Sequence, residues 1–169
     1  MPDYYGTIEQ ASAYHDARGN AAWAAADSSP DSARLAALVR ASTWLDGRFG
    51  AKYPGKKTGG RSQLLGWPRS CARDVEGNAI ADDEVPVEVL SATYEAALRE
   101  LADPGSLSPD LILAERVISE RVGPISQTYS DNQIVTATDM RPTVTLIDDI
   151  MSALVGAESN TKSTLLLRA

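Results

Sequence analysis

The sequence predicts a mainly α domain of about four to five helices carrying a small β-hairpin. Three observations predict it. Apolar residues recur at three- and four-residue spacing in separated stretches, and prolines or hydroxyl residues open those stretches while glycines close them. Past residue 115 the pattern changes to β-branched residues on either side of Gly123-Pro124. The 169 residues suit one domain, and 43% apolar with 23% charged residues are globular values.

Thr7 and Gln10 have the spacing of a capping box, in which each side chain satisfies the other residue's free amide, so a first helix is expected from Ile8 to about Ala17, ending at Gly19. The alanine-rich stretch Asn20 to Ala26 around Trp23 predicts a short second helix. Ser29-Pro30 supplies a cap and a first-turn proline for a third, whose Leu35, Leu38, Val39, Ser42 and Leu45 share one face and which should end near Gly47.

The strongest periodicity opens at Val85-Pro86. Val87, Leu90, Tyr94, Ala97, Leu98 and Leu101 fall on one face, with Glu88, Glu95, Arg99 and Glu100 away from it. Asp103-Pro104-Gly105 should end this helix. Arg116 to Val122 and Ile125 to Tyr129 then read as antiparallel strands around Gly123-Pro124. A last helix is expected from about Pro142 to Leu154, stopped by Gly156. The domain reading is therefore a helical body over 1–155, with the hairpin near 115–130, and an extended C-terminal tail over 156–169.

Charge is unevenly distributed. The chain carries −7 overall, the wrong sign for nonspecific wrapping of nucleic acid. Between Arg48 and Arg73, however, lie seven basic residues (Arg48, Lys52, Lys56, Lys57, Arg61, Arg69, Arg73) and no acid, so the remainder carries −14. Its glycines and prolines predict a mobile basic loop. Three readings stay open for it: a solvated loop, a protein contact such as the acidic face of an identical neighbour, or a phosphate backbone. The shortage of interleaved aromatics weighs against base stacking. For Arg48, Lys52, Lys56, Lys57 and Arg61 the expectation is a contact with a neighbouring subunit or another anionic partner.

No catalytic centre is expected. One cysteine, Cys71, excludes an intrachain disulfide and a multi-cysteine metal cage, and one histidine, His15, excludes a His-rich zinc site. His15 lies near a helix end, where a cationic ring would suit the dipole, and reads as a surface or half-buried structural residue. Gly50-Ala51-Lys52-Tyr53-Pro54-Gly55-Lys56-Lys57 matches a phosphate-loop spacing, but Lys57 stands where magnesium binding needs Ser or Thr. Asp148-Asp149 and Asp82-Asp83-Glu84 read as helix-surface and helix-leading acids. No cofactor or metal is expected. Neither a basic, apolar leader nor a membrane-length apolar run is present, so the expectation is a soluble intracellular chain.

Gln63-Leu64-Leu65-Gly66-Trp67-Pro68-Arg69-Ser70 carries a resemblance. It is joined by Gly77-Asn78-Ala79-Ile80, Val85-Pro86, Ala92-Thr93-Tyr94-Glu95-Ala96-Ala97-Leu98 and Arg121-Val122-Gly123-Pro124-Ile125 with Tyr129, and by the opening Thr7-to-Tyr14 helix. Across Tyr5 to Leu154 the chain resembles a tailed-phage family labelled DnaT-like single-strand-binding proteins, which is similar to the head–tail connector (adaptor) proteins of long-tailed phages. The resemblance implies a non-enzymatic adaptor made in the host cytoplasm and built into the virion neck. Such an adaptor forms a ring, commonly of about twelve copies, beneath the portal and joins the capsid to a neck or tail-completion protein. Genomic double-stranded DNA would pass through the lumen without specific binding, and an acidic wall would keep it from sticking. The label itself implies the alternative, a replication accessory that binds single-stranded DNA.

Within that resemblance, Leu65, Gly66, Trp67, Pro68 and Arg69 form the structural motif, with Trp67 expected as a large buried anchor and Pro68 fixing the turn into Arg69. Leu165, Leu166, Leu167 and Arg168 form a portal-docking tail. Val122, Gly123, Pro124 and Ile125 form a hairpin whose free edge offers a second interface.

Overall fold

The computed structural model describes residues 3–25, 31–110, 119–122, 125–128 and 142–156. Its elements in chain order are α1 (Ile8–Asp16), α2 (Ala21–Ala25), α3 (Asp31–Phe49), β1 (Lys56–Lys57), β2 (Arg69–Ser70), α4 (Val87–Ala102), β3 (Ser119–Val122), β4 (Ile125–Thr128) and α5 (Thr145–Val155). The mainly α class with a small antiparallel hairpin is what the periodicities predict.

Helix α4 is the centre. It packs most extensively on α3, then on α5, and also meets α1 and α2. Small residues make this possible: Ala92, Ala96 and Ala97 of α4 and Ala37 and Ala41 of α3 are fully buried, letting the two backbones approach. Leu38, Leu45, Val89, Ile147 and Met151 fill the space between helices. Because α4 has neighbours on several sides, its buried surface is wider than the single stripe expected. Glu95 and Glu100, expected to face away, are buried at 5% and 3% exposure, while Val87 is 66% exposed. The sequence-level face is corrected at those three positions.

Each buried acid is paired. Glu100 accepts from Arg40 Nε at 2.7 Å and from the amides of Gly105 and Leu107 at 2.9 and 3.4 Å, closing the turn after α4. Trp44 Nε1 donates to the Leu107 carbonyl at 2.9 Å and fastens the same turn to α3. Glu95 accepts from Arg99 at 3.2 Å and from the Tyr14 hydroxyl at 3.2 Å.

Helix boundaries move by a few residues. Thr7 caps α1 by accepting from the Gln10 amide at 3.2 Å, but the reciprocal half of the capping box is replaced: Gln10 Oε1 accepts from the Tyr94 hydroxyl instead. α3 runs through Gly47 to Phe49, because Leu45 and Phe49 are both buried and continue its apolar face, whereas Leu35 is 37% exposed. α5 begins at Thr145 rather than Pro142, and Gly156 ends it at φ 79°, a left-handed value that glycine adopts without a Cβ clash. Leu146 lies off the buried face at 46% exposure.

Between α3 and α4 the chain is irregular but fastened. One 3₁₀ turn, Gly50–Lys52, precedes the β1–β2 ladder and another, Gly60–Ser62, lies in the connection between its strands; in the ladder Lys56 faces Ser70 and Lys57 faces Arg69. Asp74 Oδ1 accepts from the amides of Glu76 and Asn78 and makes the next turn. β3 and β4 pair antiparallel with Val122 opposite Ile125, as the strand reading expects; Gly123 and Pro124 lie outside the described residues. The Ser29-Pro30 cap and the segment 157–169 also lie outside them. Among the described residues no helix is long and apolar enough to cross a membrane.

Candidate functional site: the Leu65–Arg69 element and its cleft

Trp67 is 1% exposed and reaches this position because three segments distant in sequence converge on it. The Tyr5 hydroxyl accepts from the Trp67 amide at 3.0 Å and donates to Asp46 Oδ1 of α3 at 2.7 Å. The other Asp46 oxygen accepts from the Gly66 amide at 2.6 Å. The Tyr5 amide in turn donates to Ser42 Oγ at 3.0 Å. Tyr53 lays its ring against the indole, with centroids 5.7 Å apart and planes at 60°. The expected anchor is therefore observed, held by polar groups as well as by packing. The Trp67–Pro68 peptide bond is cis.

Burial raises the Asp46 carboxyl above its ordinary range, against the opposing pull of the Tyr5 and Gly66 hydrogen bonds. The Tyr5 and Tyr53 hydroxyls are pushed far up, first by burial and then by the Asp46 charge beside them. Both phenols stay protonated at any physiological pH, and Tyr5 acts purely as a hydrogen-bond relay.

Gly66 has no alternative here. A Cβ on it would lie 2.7 Å from both Asp46 Oδ1 and Tyr53 Cε2. Arg69 then locks the loop, with its guanidinium donating to the carbonyls of Pro54 (2.6 Å), Gly55 (2.8 Å), Gly66 (3.2 Å) and Tyr53 (3.4 Å). Gln63 closes the other side: its Nε2 donates to the carbonyls of Leu65 and Pro68, each at 3.0 Å, and its Oε1 accepts from the Gly59 amide at 2.8 Å.

This geometry corrects the expectation of a mobile basic loop. Arg48 makes a bidentate pair with Asp148 of α5, at 3.0 and 3.1 Å from its Nη2. Lys57 Nζ donates to the Gln63 carbonyl at 3.0 Å, and Arg73 to the Gly77 carbonyl at 2.7 Å. Lys52, Lys56 and Arg61 are exposed. The Asp82 carbonyl accepts from Thr58 Oγ1 at 3.2 Å, and its carboxylate accepts from the Cys71 amide at 3.3 Å, so this acid lies beside the basic ladder. The phosphate-loop match has neither the strand before it nor the helix after it.

His15 is also corrected. It is fully buried rather than at the surface, packed on Trp23 at 4.7 Å between centroids. Nε2 lies 3.1 Å from the Tyr94 carbonyl, which only accepts, so this nitrogen carries the proton. Nδ1 then accepts from Asn20 Nδ2 at 2.9 Å, and burial lowers the ring's pKa. The neutral ring is fully satisfied. Cys71 is exposed, and among the described residues no group of three or more His, Cys, Asp or Glu could hold a metal ion.

Against the outer side of the motif lies a cleft of about 230 Å³, lined by Tyr4, Leu64, Leu65, Trp67, Pro68 and Val85 together with Asp83. Leu64 is 71% exposed there. The cleft falls below the roughly 300–1,000 Å³ usual for small-molecule sites and has room for a few side chains. Sequence reasoning found the motif and its neighbour Gln63 but missed the roles of Tyr5 and Asp46, since nothing in a linear reading links Asp46 to residues 5 and 66. The expected tail residues Leu165, Leu166, Leu167 and Arg168 lie outside the described residues.

Comparison with curated proteins and with solved structures returns no match. The family model described as "Putative DnaT-like ssDNA binding protein" matches residues 2–169. Since that match spans the motif, its supporting Tyr5–Asp46 hub and the five α-helices among the described residues, the chain belongs to this family.

Proposed function

We propose that the chain is a structural, non-catalytic subunit of a tailed-phage head–tail connector, assembling with copies of itself into a ring beneath the portal. The observation that supports it is the surface around the motif. Leu64 is 71% exposed and lines an apolar cleft, a combination suited to a protein partner rather than to phosphate. A subunit repeated around an axis needs one surface that meets a different surface of its neighbour, and such a patch supplies one half of that contact.

The family's description carries a second reading, a DnaT-like binder of single-stranded DNA, and the family match supports that reading more directly than the ring. The geometry weighs the other way. Strand binders stack bases on open aromatic faces along a basic groove. Among the described residues every aromatic side chain is buried or half-buried, and Arg48, Lys57, Arg69 and Arg73 donate to groups within the fold.

Two measurements decide between them. Protein mass spectrometry and imaging of purified virions should place this chain in the neck; its absence from mature particles removes the connector reading. Anisotropy of a labelled single-stranded oligonucleotide at physiological salt should show no saturable binding. Submicromolar, salt-sensitive binding would establish the second reading instead.

A further inference from the structure

The cleft beside Trp67 has the chemistry of a peptide acceptor, and the chain contains a matching peptide. Its lining is mostly apolar and includes Leu64, which is 71% exposed, and the exposed acid Asp83. The Trp67 indole, which forms part of the wall, has no acceptor for its Nε1–H among the described residues. Thirteen residues follow Gly156, and they contain Leu165-Leu166-Leu167-Arg168 before the final Ala169. Three leucines match the apolar lining, and an arginine beside them matches Asp83. Extended, the thirteen residues reach up to about 40 Å beyond Gly156, far enough to leave one subunit and enter the next.

A second cleft among the described residues fits this peptide less well. It is lined by Arg18 and Arg99 alongside Leu98, Leu146 and Ile150, and its acid, Glu95, already accepts from Arg99 and Tyr14. Arg168 would meet like charge there.

We infer that the Trp67 cleft receives the Leu165–Arg168 segment of a second copy of this chain, in place of the portal docking that the resemblance implies, with Leu64 as an apolar contact and Asp83 as the partner of Arg168. The contact is head-to-tail: the cleft of one subunit takes the segment of the next, which propagates around an axis and closes into a ring. The inference deepens the ring reading and rests on it for the presence of a neighbouring copy.

The test uses full-length chains throughout. A fluorescent peptide of residues 162–169 is titrated into a chain carrying Leu165→Asp, Leu166→Asp and Leu167→Asp, whose own segment cannot compete. Saturable binding is expected, weakened about tenfold or more by adding the surface change Leu64→Glu. Asp83→Lys should weaken it too and remove its salt dependence. No saturation up to about 1 mM, or equal binding with and without Leu64→Glu, overturns the assignment.

The second copy is tested by complementation. A chain with Leu64→Glu and an intact segment is mixed with a chain bearing the three Asp substitutions and an intact cleft, above the peptide's measured Kd. Association of the mixture, with neither component associating alone, is the expected result. A mixture that stays monomeric overturns the second-copy source. If the mixture associates but virions lack the chain, the neck reading fails and the cleft assignment stands, so the two failures are distinguishable.

Discussion

The Tyr5 hydroxyl donates to the Asp46 carboxylate over 2.7 Å, joining the segment before α1 to the end of α3, 41 residues away. The same oxygen accepts from the Trp67 amide at 3.0 Å. One hydroxyl therefore satisfies a buried acceptor and a buried donor together, which makes it costly to remove.

Tyr5→Phe keeps the ring's packing but leaves the Trp67 amide without an acceptor and withdraws one donor from Asp46. The expected loss is about 2–3 kcal/mol, since a buried unsatisfied group costs more than a hydrogen bond gains. Urea denaturation checks it, and a cycle with Asp46→Asn should be strongly non-additive because the two groups share one network.

Two glycines should respond to alanine with opposite sign. At Gly66 the new Cβ meets Asp46 and Tyr53 at 2.7 Å, so Gly66→Ala is expected to destabilise by about 1–3 kcal/mol. At Gly47, inside α3 with nothing within 4 Å, Gly47→Ala is expected to stabilise by about 0.5–1 kcal/mol through helix propensity. Thermal melts of the two variants side by side make the comparison.

Arg69→Lys preserves charge yet loses the planar fork that reaches the carbonyls of Tyr53, Pro54, Gly55 and Gly66. A lysine ammonium cannot span all four, and about 1–3 kcal/mol of stability should go with them. Hydrogen exchange should show faster opening over residues 53–70 while α4 amides keep their protection.

His15 makes stability depend on pH. Its folded pKa lies below the ordinary 6.5 because burial disfavours the charged ring, so the unfolded chain binds the proton more readily. Its contribution is full above 6.5 and is lost as the pH falls from there toward the lower folded value. Protonated Nδ1 would also face the Asn20 amide donor at 2.9 Å. Denaturation midpoints of the wild type should fall as the pH drops below 6.5, and His15→Gln should flatten that slope. Asp46, whose pKa is raised, acts with the opposite sign and is separated by comparing the variant with the wild type.

The helices were legible in the sequence wherever a stripe of apolar residues met one neighbour. α1 and α5 were legible as helices, and of the apolar residues in α5, Ile147, Met151 and Leu154 are buried while Leu146 is exposed. α4 was legible as a helix but not in its full burial, because three-residue and four-residue spacing describes one contact surface and α4 has four helical neighbours. Glu95 and Glu100 read as solvent-facing for the same reason; charge marks exposure only until a partner such as Arg40 arrives from another element.

The site divides in the same way. Composition, the order of the helices and the Leu65–Arg69 motif were determined by the sequence alone, since each depends on residues close together along the chain. That the basic stretch is fastened rather than mobile was decided by the tertiary structure, which set Asp148 beside Arg48 and four carbonyls around Arg69. Likewise Tyr5, Asp46 and Trp67 became one hub only on folding, because a hydrogen bond depends on distance through space, and their separations of 41 and 62 residues leave no periodic trace.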